Sequence, residues 1–315
     1  MKKKNTTVTH TLLLIFAAMI WGFAFVSQSV GAEYVGAFTF IALRNWIAVV
    51  FLIPVIAFTE RSQLPALKSA MFAPELLRGG IICGIALFAA SLVQQVGISY
   101  TTTARASFIT ALYMVIVPVF SIFLGNRPSG KIWGGILLGL IGLWLLCIKA
   151  GEGFGTIGYG DLLMLLAAAL FSIQILSVNY FVCFLDGVKL AFWEMFFEAL
   201  IATVPMIFFD RPTFAQIQNA LPAILYAGVM SSGVAYTLQI VGQKDLDPSI
   251  ASLAMCLESV FGAIGGWLIL SQRLSLREIM GCALMFLAIV ISELPDSVFS
   301  KITGHSRKKS GRISA

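Results

Sequence analysis

Residues 248–270 read PSIASLAMCLESVFGAIGGWLIL, and this stretch decides the fold. A helix needs about 20 apolar residues to cross roughly 30 Å of hydrocarbon, so it reads as a transmembrane helix. It carries one carboxylate. At about 1.5 Å per residue, Glu258 lies about 15 Å in from Pro248, near the bilayer midplane. A glutamate at that depth is costly unless it faces water or a partner, which marks it as a candidate site. Gly262, Gly265 and Gly266 follow it. They remove side-chain bulk on the next turns, so another helix or a ligand can come close.

The rest of the chain has the same character. Of 315 residues, 59% are hydrophobic and 11% charged. A soluble domain carries about 25% charged residues, so the composition predicts a polytopic membrane protein in contact with a lipid bilayer. The basic residues lie in short loops and tails instead of on a folded basic face, which argues against nucleic acid as a partner. The cysteines Cys83, Cys147, Cys183, Cys256 and Cys282 are scattered singly, without a CxxC pair. Neither a zinc site nor a disulfide framework is expected, and no cofactor. The two histidines, His10 and His305, lie in the tails.

Met1-Lys2-Lys3-Lys4 precedes an apolar run from Thr11 to about Val30. The run is too long for a signal peptide and lacks a clear small-residue cleavage site, so it reads as a retained first helix. Nine further spans follow at about 36–58, 76–98, 103–124, 132–149, 159–183, 189–209, 219–242, 248–270 and 279–294. Turn residues such as Gly125-Asn126-Arg127-Pro128-Ser129-Gly130 and Asp210-Arg211-Pro212 connect them. With the N-terminus inside, 15 of the 21 Lys and Arg residues fall on inner segments and five on outer ones, with Arg44 left inside a span. That bias puts both termini in the cytoplasm.

Sliding the chain on itself by 145 residues aligns Gln94 with Gln239, Gly97 with Gly242, Ala106 with Ala251 and Leu112 with Leu257. Glu258 then falls opposite Tyr113. A shift of 150 aligns Leu13, Ala17 and Ala18 with Leu163, Ala167 and Ala168. A shift of 151 aligns Ala48 with Ala199 and Pro54 with Pro205. Two five-helix halves must insert with opposite orientation, because five is odd. The expected fold is an all-α integral membrane protein, ten transmembrane helices in two inverted five-helix repeats. Such transporters place their sites near the midplane, at the repeat interface. The expected division is a tail at 1–10, a first repeat at 11–149, a linker at 150–158, a second repeat at 159–294 and a basic tail at 295–315.

Leu257-Glu258-Ser259-Val260-Phe261, Gly266-Trp267-Leu268-Ile269-Leu270 and Arg273-Leu274-Ser275 resemble the second-half pattern of the drug/metabolite transporter superfamily, EamA type. Ile20-Trp21-Gly22-Phe23, Leu43-Arg44, Ala235-Tyr236 and Gln239 are similar to weaker family features. The resemblance covers nearly the whole chain. It implies ten helices, cytoplasmic termini, a cavity lined mainly by spans 1, 3, 4, 6, 8 and 9, and export of metabolites, often amino acids. Two positions depart from the pattern. Ser259 replaces a proline, which removes that reason for a helix kink. Gln272 replaces a glutamate, which weakens an outer ion pair with Arg273 or Arg277.

Glu258 is the sharpest candidate. It can bind an amino or cationic group or exchange a proton with substrate; the plainer alternative is a structural glutamate bonded to a neighbouring helix. Tyr113, its repeat mate, offers a hydroxyl and an aromatic face. Thr110 and Ser107 make a hydroxyl stripe beside it. Trp21, Gln94, Gln174, Asn179, Trp193, Tyr236 and Gln239 are polar or aromatic groups within spans that need partners. Interhelical bonding is the plainer use of any one; together with Glu258 they can line a site for a zwitterion. Arg44 is expected to anchor a substrate carboxylate, to pair at a gate or, as the plainer use, to pair with a helix end or lipid headgroup at the outer interface. Glu194 and Glu198 share a face one turn apart and are, with Arg44, the gate or ion-pair candidates; Glu198 is the deeper, solvation is the plainer reading of Glu194 nearer the inner surface, and opposite insertion puts Arg44 and Glu194 at different depths. Gly134, Gly135, Gly139 and Gly142 make a small-residue face, for packing within the chain or for a homodimer.

The leading expectation is a secondary transporter that exports amino acids or related small metabolites across the cytoplasmic membrane by alternating access, with proton antiport or facilitated diffusion as its energetics. A multidrug or lipophilic-cation exporter is the alternative, and a membrane scaffold or receptor a third reading. The sequence has no Walker lysine motif, HExxH or GxSxG, so neither ATP hydrolysis nor an intramembrane enzyme is expected.

Overall fold

The computed structural model describes residues 2–59, 61, 70–101, 103–126, 128–148, 157–270 and 275–293. Residues 150–156 of the expected linker 150–158, the tail from Pro295, Gln272 and Arg273 lie outside them. The described residues form helices joined by short turns: α1 (Lys2–Ala32), α2 (Ala37–Thr59), α3 (Pro74–Gly97), α4 (Thr103–Thr110), α5 (Tyr113–Phe123), α6 (Gly130–Cys147), α7 (Tyr159–Val182), α8 (Gly187–Pro205), α9 (Phe214–Tyr226), α10 (Tyr236–Gln243), α11 (Pro248–Met255), α12 (Glu258–Leu270) and α13 (Leu276–Glu293). A wider helical turn, Ala227–Ala235, joins α9 to α10 without a break.

Eight helical stretches among these residues are long and apolar enough to cross a membrane: Thr7–Ala32, Ala37–Thr59, Pro74–Tyr100, Arg105–Phe123, Gly130–Cys147, Tyr159–Val182, Gly187–Asp210 and Phe214–Gln243. The chain is a multi-pass, all-helical membrane protein. Its outer surface agrees, since Phe58, Leu137, Phe123 and Phe214 are more than half exposed, the last two above 80%. Such a surface is stable against lipid tails. The stretch Pro248–Ile264 is shorter. The last helix, Leu276–Glu293, carries Arg277, Glu278 and Glu293 near its ends.

Side-chain caps set several helix starts. Asp186 accepts from the Lys189 amide at 2.9 Å, and Asp247 from the Ser249 amide at 2.8 Å. Ser275 and Glu278 form a reciprocal cap, with bonds of 2.6 and 3.3 Å. Asp210, at the end of the turn after α8, accepts from the amide and hydroxyl of Thr39 at 2.7 and 2.9 Å. This puts a carboxylate from the second half on the N-terminus of α2.

Two expectations need correction. The first helix begins at Lys2, not Thr11. Its first turns are polar, and a helix that is already nucleated extends at one hydrogen bond per residue. The fourth and ninth spans are not continuous. Each is interrupted by two turn residues, Ala111-Leu112 and Cys256-Leu257, 145 positions apart. The bonding matches at both breaks. Leu112 and Met114 donate to Ile109 and Ala111, as Leu257 and Ser259 donate to Ala254 and Cys256. These bonds reach back three residues instead of four, which tightens the turn. The second break therefore forms without proline, using the amide that Ser259 supplies.

Packing follows the same exchange of halves. α6 lies against α13, α2 against α8, and α3 against α7 and α8. α1 packs on α12 as α7 packs on α5. Ala17 and Ala18, and their counterparts Ala167 and Ala168, are fully buried. Gly135, Gly139 and Gly142 of α6 are used in packing within the chain. A Cβ on Gly142 would stand 2.8 Å from the Gly281 carbonyl oxygen and 3.0 Å from the Met285 nitrogen, while one on Gly134 meets nothing within 4 Å. Gly142→Leu is therefore expected to destabilise the protein by about 1–3 kcal/mol through overpacking. Gly134→Leu should stay within about 0.5 kcal/mol. Denaturant titration of both variants in detergent micelles measures the difference.

Candidate functional site

The breaks in the two interrupted spans meet. The Cys256 thiol donates to the Ala111 carbonyl at 3.2 Å, and the Tyr113 hydroxyl donates to Glu258 Oε1 at 3.2 Å. Glu258 opens α12, so its carboxylate sits at the positive end of that helix. α1 comes close because glycine faces glycine. A Cβ on Gly22 would stand 2.6 Å from the Gly262 nitrogen and 2.7 Å from the Glu258 carbonyl oxygen.

In front of this junction lies a cavity enclosing about 480 Å³ of empty space, its mouth included. α1 supplies Trp21, Ala24, Phe25 and Gln28; α3 supplies Gln94. Thr110 of α4, Tyr113 of α5, and Phe171, Gln174 and Ile175 of α7 follow. Ser231, then Tyr236 and Gln239 of α10, Met255 of α11 and Glu258 close the ring. These elements belong to predicted spans 1, 3, 4, 6, 8 and 9. The structure thus brings Glu258, Tyr113, Thr110, Trp21, Gln94, Gln174, Tyr236 and Gln239 to one space.

The wall is part aromatic, part polar. The Trp21 and Tyr236 rings meet edge to face with centroids 4.9 Å apart. Thr110 Oγ1 lies 3.5 Å from Met164 Sδ. Trp21 Nε1, Gln28 Oε1 and Gln239 Oε1 are buried without a hydrogen-bond partner. Such groups favour a polar ligand that can pair with them. Gln28, Phe25, Phe171, Ser231 and Met255 were missed in the sequence. Gln28 had a signal, since it lies two helical turns after Trp21, on the same face. Asn179 and Trp193 lie elsewhere. Asn179 donates to the Gln243 and Leu246 carbonyls at 3.3 and 3.0 Å, and Trp193 to the Met71 carbonyl at 2.7 Å.

Behind the cavity is a buried ionic cluster. Arg44 Nη2 lies 3.5 Å from Glu198 Oε1 and donates to Ser91 Oγ at 3.0 Å. Arg44 is 2% exposed and Glu198 is 0% exposed. Glu194, also 0% exposed, accepts from Gln174 Nε2 at 2.8 Å. Of the readings given for Arg44, the structure shows an ion pair with α8 and not the outer interface. One expectation is corrected here. Glu194 is not solvated, because α3 closes over it at Gly84, where a Cβ would stand 2.9 Å from the Glu194 carbonyl oxygen. The long arginine side chain spans the depth difference to Glu198, one turn from Glu194.

Comparison with known proteins gives a consistent result. The model of the EamA-like transporter family matches residues 9–148 and 158–294. An uncharacterized transporter of Archaeoglobus fulgidus is 28% identical over 282 residues, 89% of this chain and 84% of that protein. A chloroplastic WAT1-related protein of Arabidopsis thaliana is 26% identical over 300 residues, 92% and 70% of the two chains. The uncharacterized transporter YoaV of Bacillus subtilis is 23% identical over 283 residues, 89% and 94%. One crystal structure shares the fold with a TM-score of 0.74 at 19% identity, covering 95% of this chain and 99% of the other.

The ion pair can be tested by itself. Arg44→Leu leaves Glu198 buried and unpaired, and is expected to cost about 3–5 kcal/mol of stability. Arg44→Leu with Glu198→Leu should recover most of that loss, because both charges are gone. A double-mutant cycle from unfolding midpoints gives the coupling energy.

Proposed function

The chain belongs to the EamA-like transporter family, and on that premise we propose that this membrane transporter exports amino acids or related small amines across the cytoplasmic membrane. The observation that carries the reading is the cavity in which Glu258 and its Tyr113 bond face aromatic rings and unpaired amides. Glu258 takes the amino group of the substrate. Tyr113 keeps its hydroxyl on Glu258 and offers its ring face to the same amino group. Trp21 and Tyr236 contact the apolar part, while Thr110, Gln94, Gln174 and Gln239 satisfy its polar groups.

The proposed layout is ten membrane helices in two inverted repeats, 11–149 and 159–294, with cytoplasmic tails and both termini inside. The breaks 145 residues apart and the exchange-related packing support the repeats. The Lys and Arg bias supports the orientation. The halves rock about the cavity to expose it to each side in turn. The Arg44–Glu198 pair, with Glu194 beside it, serves as a gate between the halves, since it ties α2 of the first to α8 of the second. Proton exchange supplies the gradient coupling.

One observation favours a second reading. A carboxylate walled by Trp21, Phe25, Phe171 and Tyr236 also suits a lipophilic organic cation. Uptake into proteoliposomes separates the two, using labelled amino acids and organic cations, with and without a pH gradient. Zwitterion transport supports the first reading, and cation-only transport the second. Glu258→Gln is expected to lower transport by about tenfold or more, and Tyr113→Phe by a few-fold to about tenfold. Transport unchanged in Glu258→Gln at equal expression would sink the assigned role.

A further inference from the structure

Glu194 is a buried carboxylate with an unbalanced charge. Arg44 is committed to Glu198. The charged or titratable groups near Glu194, among the described residues, are Glu198 on its own helix, Arg44 on α2, Cys83 on α3 and Tyr236 on α10. Glu194 Oε1 accepts a hydrogen bond from a neutral amide, Gln174 Nε2, at 2.8 Å. Glu194 Oε2 is buried and unpaired. The string continues toward the cavity: Gln239 Nε2 donates to Gln174 Oε1 at 3.1 Å. Gln239 Oε1, also buried and unpaired, ends it. Both amides line the cavity and Glu194 does not.

A carboxylate can only accept. It therefore obliges Gln174 to turn its NH2 toward α8 and its oxygen toward Gln239. Gln239 must then give its own NH2 to Gln174, which leaves a carbonyl at the cavity. A protonated Glu194 has an O–H to donate. If it donates to Gln174 Oε1, that amide turns over, its NH2 faces Gln239, and Gln239 presents NH2 to the cavity. One proton on Glu194 thus inverts the end of the string from acceptor to donor.

We propose that Glu194 is a positioning residue whose proton sets the polarity of Gln239, so that the cavity favours ammonium-type donors when Glu194 is ionised and carbonyl or carboxylate acceptors when it is protonated. The inference rests on the cavity being the substrate site. By linkage, an amine in the cavity and a proton on Glu194 disfavour each other equally, although they share no atom. Glu258 touches the amine directly; Glu194 acts through Gln174 and Gln239. This gives exchange of an amine for a proton a structural basis outside Glu258.

The test uses the full chain in lipid vesicles and has two arms. The first records infrared difference spectra between alkaline and acid buffers with carbon-13 glutamine. Wild type should show a carboxyl band and a simultaneous glutamine side-chain shift; Glu194→Gln should lose the shift and the part of the band that Glu194 contributes, with the part from Glu258 remaining. In Gln239→Leu the carboxyl band should remain. The second arm measures phenethylammonium binding against pH. Acidification should weaken binding about tenfold more in wild type than in Glu194→Gln or Gln239→Leu, with Glu194→Asp restoring part of the difference. A glutamine shift that survives in Glu194→Gln, or variants that titrate like wild type, would overturn the proposal. If phenethylammonium fails to bind wild type at any pH, the reading of the cavity as an amine site fails. The infrared arm then still decides whether Glu194 turns the amides.

Discussion

The hydrogen bond from Tyr113 to Glu258 lies where two interrupted spans cross, and much of the core is arranged around it. A carboxylate in an apolar interior needs donors, and a continuous helix spends its amides on its own carbonyls. Interrupting the ninth stretch at Cys256-Leu257 makes Glu258 the first residue of a new helix, with the dipole behind it. The matching break at Ala111-Leu112 opens α5 at Tyr113. Each half thus brings its polar group to the start of a helix, and the two starts face each other. The long-range contacts between them, Cys256 to Ala111 and Tyr113 to Glu258, have the repeat's own spacing of 145.

The second buried cluster obeys the same constraint by other means. Arg44 pairs with Glu198 and donates to Ser91. Glu194 relies on Gln174, and Gln174 on Gln239. Polar groups here are satisfied in strings, not in isolated pairs. A string has a direction, so the state of one end constrains the other. The cavity wall and the ionic cluster are therefore one polar system, joined through Gln174 and Gln239.

Much of this was legible in the sequence. Glu258 stood out because a charge in an apolar run is conspicuous, and the self-alignment put Tyr113 opposite it. The residues gathered at the cavity were mostly amides and aromatics inside spans, whose need for partners is a matter of composition alone. What stayed hidden depended on packing. Neither helix break was readable, because Ala111-Leu112 and Cys256-Leu257 are ordinary helix formers. Their interruption reflects contacts across the repeat, and Ser259 in place of proline pointed the other way. Glu194 looked solvated because depth along a helix says nothing of a neighbour as close as Gly84 allows α3 to be. Gln28 was readable by its spacing from Trp21, and Ser91 was not, since a serine in a helix has many uses.

The contact between Gly22 and Gly262 has a mechanical consequence. Where helices interlock through large side chains, separating them means withdrawing each knob from its hole and changing rotamers. Here two bare backbones lie flush beside the Glu258 carbonyl. A seam without teeth resists compression, because atoms already touch, yet offers little resistance to gliding along its length or to opening. At this contact no side chain stands between α1 and α12, so a shift of the cavity wall that holds Trp21 withdraws no knob from a hole there.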